Sequence, residues 1–213
     1  MPIDPRLLIL TQWLSPAYPI GAFAFSHGLE AACAERRVVD TEGLEDWLSA
    51  LLTSGSGWSD AVWIGLAARG ARPVTELDAL CGAYAASGER LREARRQGEA
   101  FARITSDVWA LDLSARLLPV AVGEAAQVLD LDAEQVIALY LQGVVANLAA
   151  AAQRLMPLGQ TAAQGIVARL SVVCAEVSAQ AAVAEESDVF SNAYMSDIAS
   201  MRHEILETRV FQS

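Results

Sequence analysis

The sequence predicts an all-α protein, a single-domain helical bundle built around one buried central helix. Three observations carry this expectation. From Val136 to Ala152 the chain is almost unbroken Val, Ile, Leu, Tyr and Ala, with Gln142 and Asn147 the only strongly polar side chains. A helix that is apolar nearly all round has to be wrapped on every side. Hydrophobic residues make up 54% of the 213 residues and charged residues 19%, which excludes disorder and implies a large buried or partner-covered surface. Elsewhere, apolar residues recur at three- and four-residue spacing between short Gly- and Pro-marked breaks. Lipid would be the other way to wrap the central run, which is only at the lower edge of the ~17–25 residues of a span. Asp130, Asp132 and Glu134 precede it and no aromatic belt frames it, so no membrane is expected.

Asp4-Pro5 supplies an N-cap and a first-turn proline, and Leu7, Leu10 and Leu14 follow at helical spacing. Ser15-Pro16-Ala17-Tyr18-Pro19-Ile20-Gly21 is a fixed, non-helical passage that leads through Phe23 and Phe25 into a second helix. Thr41 to Thr53 places Leu44, Trp47, Leu48 and Leu51 on one face; Gly55-Ser56-Gly57 breaks it, and Trp58 to Ala68 follows. Thr75 is expected to cap a helix running to about Ser87, and Glu89 to Ala115 carries the next pattern. Pro119 is expected to interrupt the chain before a short helix over Val120 to Leu129. Asp132 and Gln135 form a capping pair for the central helix, which Pro157 and Gly159 close. Its Leu139, Gly143, Ala146 and Ala150 make a face thin enough for another helix to approach. Thr161 to Glu185 is a long Ala- and Val-rich helix. After a polar loop, Ser196 or Asp197 is expected to cap a last short helix. The expected division is a helical domain over 1–186 and a C-terminal arm with a short docking helix over 187–213.

Composition excludes several chemistries. A net charge of −11 argues against nucleic acid or an anionic membrane as partner. All fifteen basic residues are Arg, so neither a Walker-type phosphate loop nor a pyridoxal-phosphate Schiff base has its Lys. Two His starve most zinc hydrolase schemes of ligands, and no cofactor, metal site or catalytic residue is expected. Cys33, Cys81 and Cys174 form no Cys-x-x-Cys and read as reduced packing residues of a cytoplasmic protein, with no leader pattern at the N-terminus.

The residues that invite a chemical reading are few. Ser26 and His27, adjacent on a helix, point to different sides and make no catalytic pair. His203 and Glu207 lie one turn apart, too few ligands for a closed metal site. Arg90, Arg92, Arg95, Arg96 and Arg103 form the only dense basic cluster; Glu89, Glu93 and Glu99 interleave with it as a self-paired, solvated face, or it docks an acidic partner. Two rival functions stay open on residues alone. One is a small all-α enzyme using His203 with Glu204 or His27 with Glu30, and the other is a helical nickel-binding carrier.

Five segments in order resemble the urease accessory protein UreF family. They are Ser15-Pro16 through Gly28-Leu29-Glu30, the Arg92-Glu93…Gln97-Gly98 stretch, Leu118-Pro119-Val120-Ala121-Val122-Gly123, Leu155-Met156-Pro157-Leu158-Gly159-Gln160-Thr161, and Asp197-Ile198-Ala199-Ser200-Met201-Arg202-His203-Glu204 with its Thr208-to-Ser213 end. The chain departs from the family pattern in lacking a His near Pro119 and in carrying Glu207 and Gln212 in the tail. The resemblance implies a non-catalytic role in urease maturation, where nickel is inserted into the urease apoprotein. It implies a homodimer that binds a UreD/UreH-type accessory protein and recruits and regulates a UreG-type GTPase. The partner-binding residues expected on that basis are Met201, Arg202, His203, Glu204, Arg209 and Phe211 in the tail. Pro19, Gly21, Ser26 and Glu30 come next, then Arg95 and Arg96.

Overall fold

The computed structural model describes residues 4–213; Met1–Ile3, the start of the stretch read for a leader, lie outside it. The described residues form ten α-helices and two 3₁₀ turns, with no strand among them. The first helix, α1 (Pro5–Trp13), is capped by Asp4, which accepts from the Arg6 N–H at 2.9 Å. A passage with one 3₁₀ turn (Ala22–Ala24) leads to α2 (Leu29–Ala34), α3 (Thr41–Ser54) and α4 (Ser56–Ala68), the last two separated by Gly55 alone. Then come α5 (Val74–Ala83), α6 (Gly88–Trp109), α7 (Leu118–Val128), α8 (Ala133–Leu155), α9 (Gln160–Ala181), a 3₁₀ turn (Glu186–Asp188) and α10 (Tyr194–His203).

Several boundaries differ from expectation for local reasons. Pro73 rather than Thr75 precedes α5, and α5 stops at Ala83 because Ser87 caps the next helix, accepting from the Arg90 N–H at 3.2 Å. Helix α6 ends at Trp109, where Ala110 turns left-handed, well short of Ala115. Pro119 opens α7 instead of interrupting it, since its missing N–H is no loss in a first turn. Helix α9 ends at Ala181, not Glu185. The last helix begins at Tyr194, and Ser196 is buried within it rather than capping it.

Helix α8 is central, as expected, and Asp132 accepts from the Gln135 N–H at 2.9 Å. It packs along α9 and across α4, while α4 in turn packs on α7 and buries Trp63 and Ile64. Its wrapping is incomplete. Val136, Ile137, Leu141, Val145 and Leu148 are buried, whereas Leu139, Gly143, Ala146 and Ala150 are half-buried. The face expected to meet another helix is instead roofed by the passage after α1. Helices α8 and α9 are both long and apolar enough by composition to cross a bilayer; here they pack together inside the helical body.

Helix α6 touches the entry to α7 at Gly98, where an added Cβ would lie 2.0 Å from the Arg116 carbonyl oxygen and 2.7 Å from the Leu118 nitrogen. Backbone cannot yield as a flexible side chain can. Gly98→Ala is expected to destabilise the protein by about 3 kcal/mol, lowering Tm by roughly 6–12 °C in thermal denaturation. Gly143→Ala, which meets only the Leu14 oxygen at 3.6 Å, should leave Tm nearly unchanged.

Candidate functional site: a clasp for the C-terminal tail

Helix α6 carries Glu89, Glu93 and Gln97 four residues apart, so they share one face, and that face is buried. Helix α2 adds Glu30, buried on the opposite side of a cleft. Into this cleft folds the tail after α10. Glu30 Oε1 accepts from the Val210 N–H at 2.6 Å, and Oε2 accepts from the Phe211 N–H at 2.9 Å. The imidazole of His203, fully buried, lies between two carboxylates, with Nε2 3.1 Å from Glu30 and Nδ1 2.7 Å from Glu89. Arg209 donates to the second oxygen of Glu89 at 2.5 Å. Ser213 donates its hydroxyl to Glu93 at 2.7 Å, and its carbonyl accepts from both the backbone and the hydroxyl of Ser26.

The segment from Ser26 to Glu30 owes its residue types to this clasp. Ser26 and Glu30 hold the tail. His27 adopts a left-handed backbone (φ 54°) and reaches Glu93, its Nε2 lying 2.8 Å from the carboxylate. Gly28 lets α10 come close: a Cβ there would lie 2.6 Å from the Ser200 nitrogen, and its φ of 80° suits glycine. Glu204 reaches back to the start of α6 and accepts from the Glu89 N–H at 3.0 Å, where the helix end favours an anion.

Beneath the clasp the charges are tightly partnered. Burial alone would raise the Glu93 carboxyl, but Arg90, His27 and the Ser213 hydroxyl outweigh it and hold it well below the ordinary range. Arg90 also faces Asp60 of α4, whose carboxyl accepts from the Tyr140 hydroxyl at 2.8 Å and is pushed up by burial. Burial pushes the Cys33 and Cys174 thiols up to about 11, so both are held protonated.

The expected site residues therefore fall into two groups. Ser26, Glu30, His203 and Phe211 are buried in the clasp, with Arg209 and Glu204 at its edge. Phe211 lies under the Arg154 guanidinium, 4.5 Å from the ring centroid. Facing outward are Met201, Arg202 (paired with Glu35 at 2.8 Å), Pro19, Gly21, Arg95 and Arg96, the last donating to Gln212 at 2.8 Å. Sequence reasoning missed Glu89 and Glu93, which were read with the solvated face of the arginine cluster. Their four-residue spacing with Gln97 was the available signal. The pairs proposed for an enzyme do not form: His203 meets Glu30 and Glu89, not Glu204, and His27 meets Glu93, not Glu30. Glu207 lies past the end of α10, exposed, and among the described residues no group of three or more His, Cys, Asp or Glu is arranged to hold a metal ion.

A sequence model of the UreF family matches residues 38–171. The chain is 42% identical to the urease accessory protein UreF of Ruegeria pomeroyi, covering 100% of this chain and 99% of that one. It is 45% identical to that of Cereibacter sphaeroides (99% and 100%) and 42% identical to that of Paracoccus denitrificans (97% and 95%). The chain belongs to the UreF family. UreF proteins are urease accessory proteins, not enzymes.

Two outcomes test the clasp of this UreF chain. Because Glu93 is depressed in the folded state, its stabilisation is fully present above the ordinary carboxylate value of about 4.3 and is lost as pH falls below it. Glu93→Gln should cost about 3–5 kcal/mol at pH 7, and its urea-unfolding free energy should fall less steeply than the wild type's below about pH 4. Glu30→Ala should abolish hydrogen-exchange protection at Val210 and Phe211 while leaving α8 and α9 protected.

Proposed function

We propose that this UreF chain serves urease maturation as a docking protein, binding a UreD/UreH-type partner through α10 and recruiting and regulating a UreG-type GTPase that carries nickel. The observation that supports this reading most is that α10 is built inside out. Its inner face is small and polar, with Ser196, Ala199, Ser200 and His203 buried. Its outer face carries Tyr194, Ile198 and Met201, continued by Ile205 just past its end, all exposed and Ile205 81% so. A helix that turns its apolar side to solvent is a helix awaiting a partner. Residues 187–213 act as the docking arm, and the clasp holds that face in place. Arg202 and Met201 lie on the docking surface, while His203, Glu204, Arg209, Phe211, Ser26 and Glu30 support it from within.

Arg95 and Arg96, exposed on α6 of an otherwise acidic chain, suit an acidic face of the GTPase. Pro19 and Gly21, exposed in the passage after α1, shape a partner face there. The chain works as a homodimer in the cytoplasm; exposed Leu7 and Leu8 on α1 and Val172 and Val183 on and after α9 are apolar surface that a second copy would cover.

Co-purification of the tagged full-length chain with the UreD/UreH-type protein and the GTPase tests the reading. Removing everything after Ser196 would also strip the clasp, so point variants are cleaner. Met201→Asp and Ile205→Asp should keep wild-type helicity and lose the UreD/UreH-type partner by at least about tenfold in affinity. Arg95→Glu with Arg96→Glu should keep that partner and weaken capture of the GTPase. Capture of neither protein by the wild-type chain would sink the proposal.

A further inference from the structure

We infer that the chamber between α1, the passage after it, α6 and α8 is a binding site for a small uncharged molecule with an apolar body and one amide or hydroxyl head. The chamber holds about 280 Å³. Close-packed interiors leave few voids larger than a water molecule, and apolar cavities of about 150 Å³ already accept benzene. Ligand pockets begin at roughly 300 Å³, so the space suits a fragment-sized guest.

Two unlike walls make the space. Trp13, Tyr18 and Phe101 form one, locked by an edge-to-face contact of 5.3 Å between the Trp13 and Phe101 rings and a tilted one of 5.8 Å between Tyr18 and Phe101. The Tyr18 hydroxyl is taken by Thr105 at 2.8 Å, which fixes the ring further. The other wall is the thin face of α8, where Gly143, Ala146 and Ala150 leave volume that larger side chains would fill. Exposed Pro16, Phe23 and Gln164 stand at the rim and give a way in. The aromatic wall is therefore set in advance of any guest, and the aliphatic wall is bare.

Polar groups in the lining call for a hydrogen-bonding head. Gln97 gives its amide nitrogen to Glu93 at 3.1 Å, which leaves its oxygen as an acceptor. The Asn147 amide nitrogen is directed to the Ala22 and Phe25 carbonyls at 3.1 and 3.4 Å, which leaves its oxygen as an acceptor. A charged head is disfavoured, because the charges at the chamber floor already answer one another. Arg90 pairs with Glu93, Glu93 also takes His27, and Asp60 takes the Tyr140 hydroxyl. A further charge in this desolvated space would have no counter-ion.

The site is tested on the full-length chain with benzamide as probe, beside benzoate and benzylamine as charged analogues of the same shape. Calorimetric titration, with quenching of tryptophan fluorescence as a second readout, should show one saturable benzamide site. Each charged analogue should bind at least about tenfold more weakly. Ala146→Leu and Gly143→Val, which fill the chamber from α8, should each weaken benzamide at least about tenfold in whichever variant keeps wild-type helicity and Tm. Absence of saturable benzamide binding to the wild type overturns the inference. So does equal binding of the charged analogues, or undiminished binding to a folded filled variant.

Discussion

Three carboxylates buried on two helices determine how this protein closes. Glu30, Glu89 and Glu93 face a common cleft at 5%, 4% and 1% exposure, and an unpartnered buried charge costs several kcal/mol. The bundle alone supplies only part of what they need, through Arg90, His27 and Gln97. The tail supplies the rest: two backbone N–H groups, the His203 imidazole, the Arg209 guanidinium and the Ser213 hydroxyl. Tail docking is thus part of the charge balance of the core. The hydrophobic contribution of Phe211 is added to an electrostatic requirement that already exists.

This requirement explains why α10 can be inside out. An ordinary surface helix is held by its apolar face, which is then unavailable to anything else. Here the anchoring is polar: Ser200 meets Ser87 at 2.6 Å, Glu204 caps α6, and His203 bridges two helices. Gly28 brings the α10 backbone against α2 so closely that no side chain could intervene. The apolar side chains of α10 are consequently released from structural duty. A polar anchor leaves an apolar face free, and directional bonds fix its orientation more narrowly than apolar packing would.

The helical skeleton was legible because its signals are local. Asp132 three residues before Gln135, Pro5 after Asp4, and the apolar stripe of Leu44, Leu48 and Leu51 each specify an element from within a turn or two of chain. Pro119 misled only in direction, since proline ends one pattern and begins another with equal ease. The clasp was legible in part. The Ser26-to-Glu30 and Asp197-to-Glu204 segments stood out through their resemblance to the UreF family, but nothing local says that they meet across more than 170 positions, as Glu30 and His203 do. Glu93 was misread for a physical reason. A Glu three or four residues from an Arg looks the same whether the pair faces water or a cleft, and Arg90, paired with Glu93, is itself largely covered. The thin face of α8 was legible as small residues, yet a small face admits a helix, a loop or a cavity alike. Which of these it meets depended on the two prolines of the passage after α1.

The clasp also bears on how the chain would handle a metal ion. Its two histidines both commit a ring nitrogen to a buried carboxylate, and His203 commits both. An ion that recruited His203 would have to displace Glu30 or Glu89 from it, and the same two carboxylates hold Val210, Phe211 and Arg209. Metal capture at that residue and tail docking therefore compete for the same oxygens. The thiols offer no alternative, because burial holds Cys33 and Cys174 near 11 and raises Cys81 as well, and a thiol must ionise to bind a metal well. A chain that spends its imidazoles on its own architecture is poorly arranged as a nickel store. The same expenditure is what holds α10 with its apolar face turned outward.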